Sequence, residues 1–341
     1  MTNKKYITLC ILLLCLITGA FLYSQCVECD CKKRISYDDN QLNEGIDLEA
    51  VFADPTTVEL DQVNNFWSQF NPNSSAFKTI KSFNYSSNRF VEIIEQRYFD
   101  QRHYGAIIYP TNFDTSKLYP ALVLLSGLNQ QDPTVNLYGF VEKKSAESLP
   151  EHFIIIPSFR GQALQYDSHR FCSDGFFGDA FDGATDDALI MLHLAKEKYS
   201  NIDPASISTF GVSRGGTVSL LMGARDSSIS KIIAASAPTN FHSREFYDRF
   251  GFQFKYQYLS KTRSLDAIRT KMIKSSPIYF LNRIDNPTLI IHGTNDQIVP
   301  LSEATNAIEI LKDNNKFESW INNHGHFIEE WEKIFQWIKK N

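Results

Sequence analysis

Residues 210 to 219 read FGVSRGGTVS, a serine set between glycines two positions to either side. A serine hydroxyl is a poor nucleophile at neutral pH; it needs a base, and the base needs an orienting carboxylate. The pentapeptide G-x-S-x-G turns up by chance in unrelated chains, so its flanks must decide its meaning. ISTF ahead of it reads as a strand, and TVSLLMGAR behind it reads as a helix. A strand, a tight bend and a helix make a nucleophile elbow, with Ser213 at strained backbone angles. Gly211 and Gly215 leave room where strand and helix press together, and the helix N-terminus beneath favours negative charge.

The base must come from eight histidines. His103 lies between two β-rich runs, His152 at a strand start, His193 inside a helix, and His169 and His242 in irregular segments. His292 ends the apolar run of LIIHG, where it is expected to hold the next loop. That leaves NNHGHFIEEW, which places His324 and His326 just before a last amphipathic segment. His326 is favoured because it follows Gly325 and abuts the helix start; His324 is the alternative. In chain order the acid falls between serine and histidine. Asp296 satisfies this in the turn closed by Val299 and Pro300, although GTND is good turn chemistry by itself. Acyl transfer also requires donors for a tetrahedral oxyanion. One is expected from the backbone N–H of Arg214. The second is expected from SGLNQQ, through the N–H of Gly127 or Leu128 or the side chain of Ser126 or Asn129.

These residues must be carried by elements that converge. From Tyr119 onward, YPALVLLSG, HFIIIPS, ASISTFGVS, ISKIIAASAP and NPTLIIHG are short, nearly continuous apolar runs. DGATDDALIMLHLAKEKY, between the second and third, has helical spacing. Such strands belong in a parallel sheet covered on both faces and joined by right-handed crossovers. The fold class is therefore α/β, with catalytic loops at the carboxyl ends of the strands. Earlier in the chain, RFVEIIEQRYF and YGAIIYP suit an antiparallel pair. DPTTVELDQVNNFWSQF reads as a helix capped by Thr56 or Thr57, with Val63, Phe66, Trp67 and Phe70 on one face. The Phe- and Tyr-rich stretch from Phe241 to Pro277 is expected to form helices over the site, its rings serving either an apolar substrate group or the core.

The amino terminus stands apart. Lys4 and Lys5 precede an uncharged, largely apolar stretch from Tyr6 to Val27. That is close to the ~20 residues of a membrane span, and the basic flank predicts export of everything after it. An uncleaved anchor and a cleaved or lipidated signal both fit, with Cys26 as the lipidated residue in the second case. The expected division is 1–27 signal or anchor, 28–53 linker, 54–88 helical extension and 89–341 catalytic domain. The net charge of −5 has no long run of one sign, so no nucleic-acid partner is expected. Cys26, Cys29 and Cys31 offer three soft ligands without an obvious fourth. No phosphate-cradling glycine motif or zinc motif is present, so no cofactor is expected.

With RG at 160 and 161, DGATDDAL, GVSRGG, SAPTNF, SSPIYFLNRIDNPTLIIHGTNDQIVP and GHF in this order, the chain from about residue 89 resembles the prolyl oligopeptidase family of serine peptidases. It is also similar to dienelactone-hydrolase-like esterases. The resemblance implies an α/β-hydrolase fold, with a mostly parallel central sheet and helices on both faces, following the signal or anchor segment. It implies Ser213, Asp296 and His326 as nucleophile, acid and base, with Arg160 and Asp187 in support. The sequence departs from the family twice. The stretch ahead of Tyr119 is too short for the β-propeller of larger members, and SGLNQ stands where a histidine-glycine pair is common. The expected activity is cleavage of a small peptide or ester substrate through an acyl-enzyme. A carboxylesterase without peptidase activity is the near alternative, and an inactive ligand-binding hydrolase fold is the alternative of another class.

Overall fold

The computed structural model describes residues 45–129, 131–259 and 263–340. The segment read as a signal or anchor and the three clustered cysteines lie outside these residues. No helix among the described residues is long and apolar enough to cross a membrane, and none of their His, Cys, Asp or Glu clusters could hold a metal ion.

Nine strands form one sheet. Its antiparallel side consists of β1 (Ala76–Ser86), β2 (Arg89–Tyr98) and β3 (Gln101–Ile108), and β3 pairs antiparallel with β6 (Phe153–Ser158). From β6 the sheet is parallel, through β4 (Tyr119–Leu125), β9 (Ile202–Val212), β10 (Lys231–Ala235) and β11 (Thr288–Gly293) to β12 (Phe317–Asn322). A second sheet joins β5 (Thr134–Asn136), β7 (Ala163–Tyr166) and β8 (His169–Cys172). The central strands are largely buried, β6 and β11 at every position, because helices cover both faces. On one face lie α4 (Asp182–Lys198), α5 (Arg214–Arg225) and α8 (Leu301–Leu311), with Leu192, Val218, Leu221 and Ala307 in the core. On the other lie α3 (Phe140–Ser148) and α9 (Trp331–Lys340), which bury Ala146, Ile334, Phe335 and Ile338.

Two expectations about the first part of the chain change. Residues 28–53 do not read as linker throughout, because Leu48–Phe52 forms α1 and buries Val51 completely. Nor is 54–88 helical to its end: after α2 (Thr57–Ser68), residues 76–86 form β1 and extend the sheet, where β2 would otherwise present an open edge. In α2 the cap is Thr56, with Glu59 closing a capping box. Val63 and Trp67 are buried as expected. Phe66 is exposed instead, its ring under the Lys274 ammonium at 3.5 Å.

The helices α6 (Arg244–Tyr258) and α7 (Leu265–Ser275) follow β10. Phe241, Phe246 and Tyr258 pack with Val51, Phe181, Ile268 and Met272 in a separate core cluster, so these three rings belong to the core. Arg269 on α7 ties this layer to the first helices. It donates to the carbonyls of Ala50, Val51 and Ala53 at 2.7, 3.0 and 2.8 Å, and to both Glu59 oxygens at 2.6 and 2.9 Å. The carbonyls are those that the end of α1 leaves without helical partners. The Arg269 hydrogen bond holds the Glu59 carboxyl down to about 2 despite its partial burial. Arg269→Leu is expected to cost about 3 kcal/mol at pH 7, since a carboxylate and several carbonyls lose one shared donor. Because the folded-state pKa of Glu59 is depressed, its share of this stability is present above about pH 4.5 and fades as pH falls toward 2. Thermal melts at pH 7 and pH 3 check both the loss and its shrinkage in acid.

Candidate active site

Ser213 follows the last residue of β9 and precedes α5, with φ 59° and ψ −122°. A non-glycine residue held there stores about 1–3 kcal/mol of backbone strain. The surroundings enforce it. The Ser213 N–H donates to the Ala235 carbonyl of the neighbouring strand at 2.8 Å. A Cβ on Gly215 would stand 2.1 Å from the Leu125 carbonyl oxygen, and one on Gly211 would stand 2.3 Å from the Gly215 carbonyl carbon. Both glycines are therefore required by close approach of backbone to backbone. Ser213 itself is half-buried.

The loops after β11 and β12 carry the other two candidates. The ladder continues beyond the strand ends: Thr294 N–H donates to Asn322 O at 2.8 Å, and Asn295 N–H to His324 O at 3.0 Å. These bonds bring Asp296 to His326, whose Nδ1 lies 2.8 Å from Asp296 Oδ2. The other carboxylate oxygen, Oδ1, accepts from the N–H groups of Ile298 and Val299 at 2.8 and 2.9 Å. Asp296 is thus a turn residue and an imidazole partner at once, with one oxygen for each task. Its burial works against ionisation, but the bonds from His326, Val299 and Ile298 outweigh this and hold the carboxyl below its ordinary value.

His324 faces elsewhere. Its Nδ1 lies 2.8 Å from Gly325 O, and its Nε2 lies 3.4 Å from Glu330 Oε2. His292 is fully buried, with Nε2 at 3.1 Å from Val299 O, and so supports the Asp296 turn. Ser213 ends a strand two places across the sheet from β11. At ~4.8 Å per strand the gap is about 10 Å, which one imidazole and two hydrogen bonds can span. Such an arrangement can pass a proton from a serine hydroxyl to an imidazole whose tautomer is fixed by a carboxylate.

The loop after β4 lies against the elbow: a Cβ on Gly127 would stand 4.0 Å from Ser213 Cβ. Among the described residues, the N–H groups of Gly127, Leu128 and Arg214 have no acceptor, which leaves them available to an oxyanion. Of the two side-chain alternatives, Ser126 Oγ donates to Gln162 Oε1 at 3.4 Å while accepting from Arg214 Nη2 at 3.0 Å. Asn129 Oδ1 accepts from the N–H groups of Gln131 and Asp132, both at 3.1 Å, which ties its carboxamide into its own turn. Arg160 binds Asp187 through its N–H, Nε and Nη2 at 2.7, 3.0 and 2.8 Å. This pair braces the loop after β6.

Sequence reasoning missed Glu142. It lines a cavity of about 260 Å³ behind the 126–129 loop, together with Val135 and Val212, and burial raises its carboxyl to about 7. EKKSAES looks like an ordinary solvated helix face, so no local pattern marks it.

Residues 173–341 match the prolyl oligopeptidase family, a span that holds Ser213, Asp296 and His326. Dipeptidyl-peptidase 5 of Porphyromonas endodontalis is 24% identical over 209 residues, which is 60% of this chain and 29% of that protein. The chain therefore spans less than a third of that relative's length. Among solved structures, acetyl xylan esterase 1 from a Thermoanaerobacterium species has a TM-score of 0.62 at 16% identity, covering 86% of this chain and 98% of that one. The acylaminoacyl peptidase of Pyrococcus horikoshii has a TM-score of 0.55 at 16% identity, covering 71% of this chain and 38% of that one.

Proposed function

We propose that this chain, which matches the prolyl oligopeptidase family over residues 173–341 and shares the α/β-hydrolase fold, is a serine hydrolase of that family, and that it transfers an acyl group from a small peptide or ester to Ser213 and then to water. The observation that supports this reading is the 2.8 Å bond between Asp296 and His326, on the loops after β11 and β12, at the carboxyl ends of the parallel strands where the strained Ser213 follows β9. Asp296 holds the imidazole, His326 takes the serine proton and later gives it to the leaving group, and Ser213 forms the acyl-enzyme. The Arg214 N–H and the N–H of Gly127 or Leu128 receive the oxyanion. None of these steps requires a cofactor.

Peptide and ester cleavage use the same residues and differ in the leaving group, since a departing amine must be protonated and an alkoxide is easier to expel. Peptidase activity is the first reading, drawn from the family. Carboxylesterase activity without peptidase activity is the second, drawn from the fold shared with the acetyl xylan esterase. A matched panel of p-nitrophenyl esters and peptidyl amides separates them. Turnover of both classes supports a peptidase; turnover of esters alone supports an esterase. Failure of a fluorophosphonate to label Ser213 in protein that hydrolyses neither class would sink the acyl-enzyme reading.

The site of action we propose is outside the cytoplasm, with the Tyr6–Val27 segment as anchor or signal and so a membrane as partner. Cys172 is disulfide-bonded, and a structural disulfide is at home in an oxidising compartment.

A further inference from the structure

The reading above uses the backbone N–H of Arg214 and leaves its side chain without a task. That side chain is a buried cation, 1% exposed, and among the described residues it makes no ion pair with a carboxylate. A buried charge is costly unless it is well paired, so what this one holds is informative. Its Nε donates to Ser126 O at 3.2 Å, and its Nη2 donates to Gly127 O at 2.7 Å and to Ser126 Oγ at 3.0 Å. The rings of Phe159 and Phe177 lie 4.8 and 5.9 Å from its central carbon. These aromatic faces favour a cation, but they fix no hydrogen-bond direction. All of its directional bonds in the described structure go to the loop after β4.

In a trans peptide the C=O and the following N–H lie in one plane and point in opposite directions. Two successive carbonyls gathered on one guanidinium therefore turn the next two N–H groups, those of Gly127 and Leu128, away from it. In a strand successive carbonyls would alternate in direction; β4 ends at Leu125, so the sheet no longer dictates the loop's peptide planes. The loop also lies against the nucleophile, as the approach of Gly127 to Ser213 shows.

We propose that the Arg214 side chain is a positioning residue that sets the 126–128 loop as the second half of the oxyanion hole. One residue then serves both halves, the first through its N–H and the second through its guanidinium, for a ligand that is the tetrahedral oxyanion of acyl transfer. This inference rests on the acyl-enzyme reading.

The test compares wild type, Arg214→Met and Arg214→Lys on the ester that wild type hydrolyses fastest. Two inhibitors are added: a trifluoromethyl ketone with the same acyl group, whose adduct carries the oxyanion, and the product carboxylate, which mimics a ground state. Methionine keeps the backbone N–H and most of the volume. It is expected to lower kcat about 100-fold with KM within about threefold of wild type. Affinity for the ketone should fall in proportion to kcat/KM, while affinity for the carboxylate holds. Lysine, able to reach one carbonyl, should recover part of kcat. A merely structural role would lower the melting temperature without separating the two inhibitors. If kcat stays within about threefold, or both inhibitors weaken equally, the inference is overturned. If Arg214→Met does not fold, Ser126→Ala removes one of the three acceptors, with an expected loss of about threefold in kcat alone; no loss there overturns it too. A wild-type protein with neither turnover nor a Ser213 adduct would overturn the underlying reading as well, whereas an active wild type with an unaffected Arg214→Met defeats this inference alone.

Discussion

Ser213→Ala is expected to lower kcat by about 10⁶-fold, leaving only the weak catalysis that binding and oxyanion donors provide without a nucleophile. The same substitution should abolish fluorophosphonate labelling. Its fold should survive, because alanine meets the same backbone penalty at φ 59° as serine does. Ser213→Gly sharpens the point, since glycine occupies positive φ without strain. That variant should be as inactive as the alanine one, yet about 1 kcal/mol more stable than wild type. Loss of activity combined with a gain in melting temperature identifies a position strained for function, because a structural serine would lose stability when removed. Steady-state hydrolysis, intact-mass analysis of the labelled protein and thermal melts read all three effects. Retention of even a few per cent of wild-type turnover in Ser213→Ala would place the nucleophile elsewhere.

The parallel half of this fold was legible because its strands are buried on both faces and read as apolar runs; YPALVLL, HFIIIPS and TLIIHG became β4, β6 and β11. What escaped was half-exposed. β1, AFKTIKSFNYS, buries none of its side chains completely and carries two lysines, so its place in the sheet comes from pairing with β2. β12, FESWIN, is another edge strand, with no fully buried position and half of its residues exposed. Yet β12 positions the histidine loop, so the sequence indicated the candidate base without the strand that delivers it. The preference for His326 over His324 rests on its place beside Gly325 and the helix start, while the contacts that separate the two rings have no local pattern. Both lie on one loop, two residues apart, and the choice depends on which ring meets Asp296 and which packs under Gly293. A Cβ on Gly293 would stand 2.6 Å from His324 Nδ1. The long bond from Arg214 to the loop after β4 spans 87 positions, and no local pattern encodes such a contact.

That choice makes the second prediction. His326→Ala is expected to lower kcat about 10⁵-fold or more, since removing a triad base costs nearly as much as removing the whole triad. His324→Ala should leave kcat within about tenfold of wild type and act mainly on stability, because this ring is buried against the Gly325 carbonyl and Glu330 and has no bond to Asp296. The reverse order of effects would exchange their roles. Asp296→Asn should cost about 10⁴-fold, because an amide can present its N–H to His326 and so stabilise the wrong tautomer. The pH dependence follows from the sign of the Asp296 shift. Its folded-state pKa lies below the ordinary 3.8, so the stability gained from its bonds is intact above about pH 4 and is lost as pH falls further through the folded value. Acid unfolding of wild type and Asp296→Asn should therefore converge below pH 4 and stay apart above it. The same sign restricts the kinetics: Asp296 is ionised throughout the range from pH 5 to 8, so any acid limb of kcat/KM in that range belongs to a group other than this carboxylate, and Asp296→Asn should lower the height of the profile without erasing that limb.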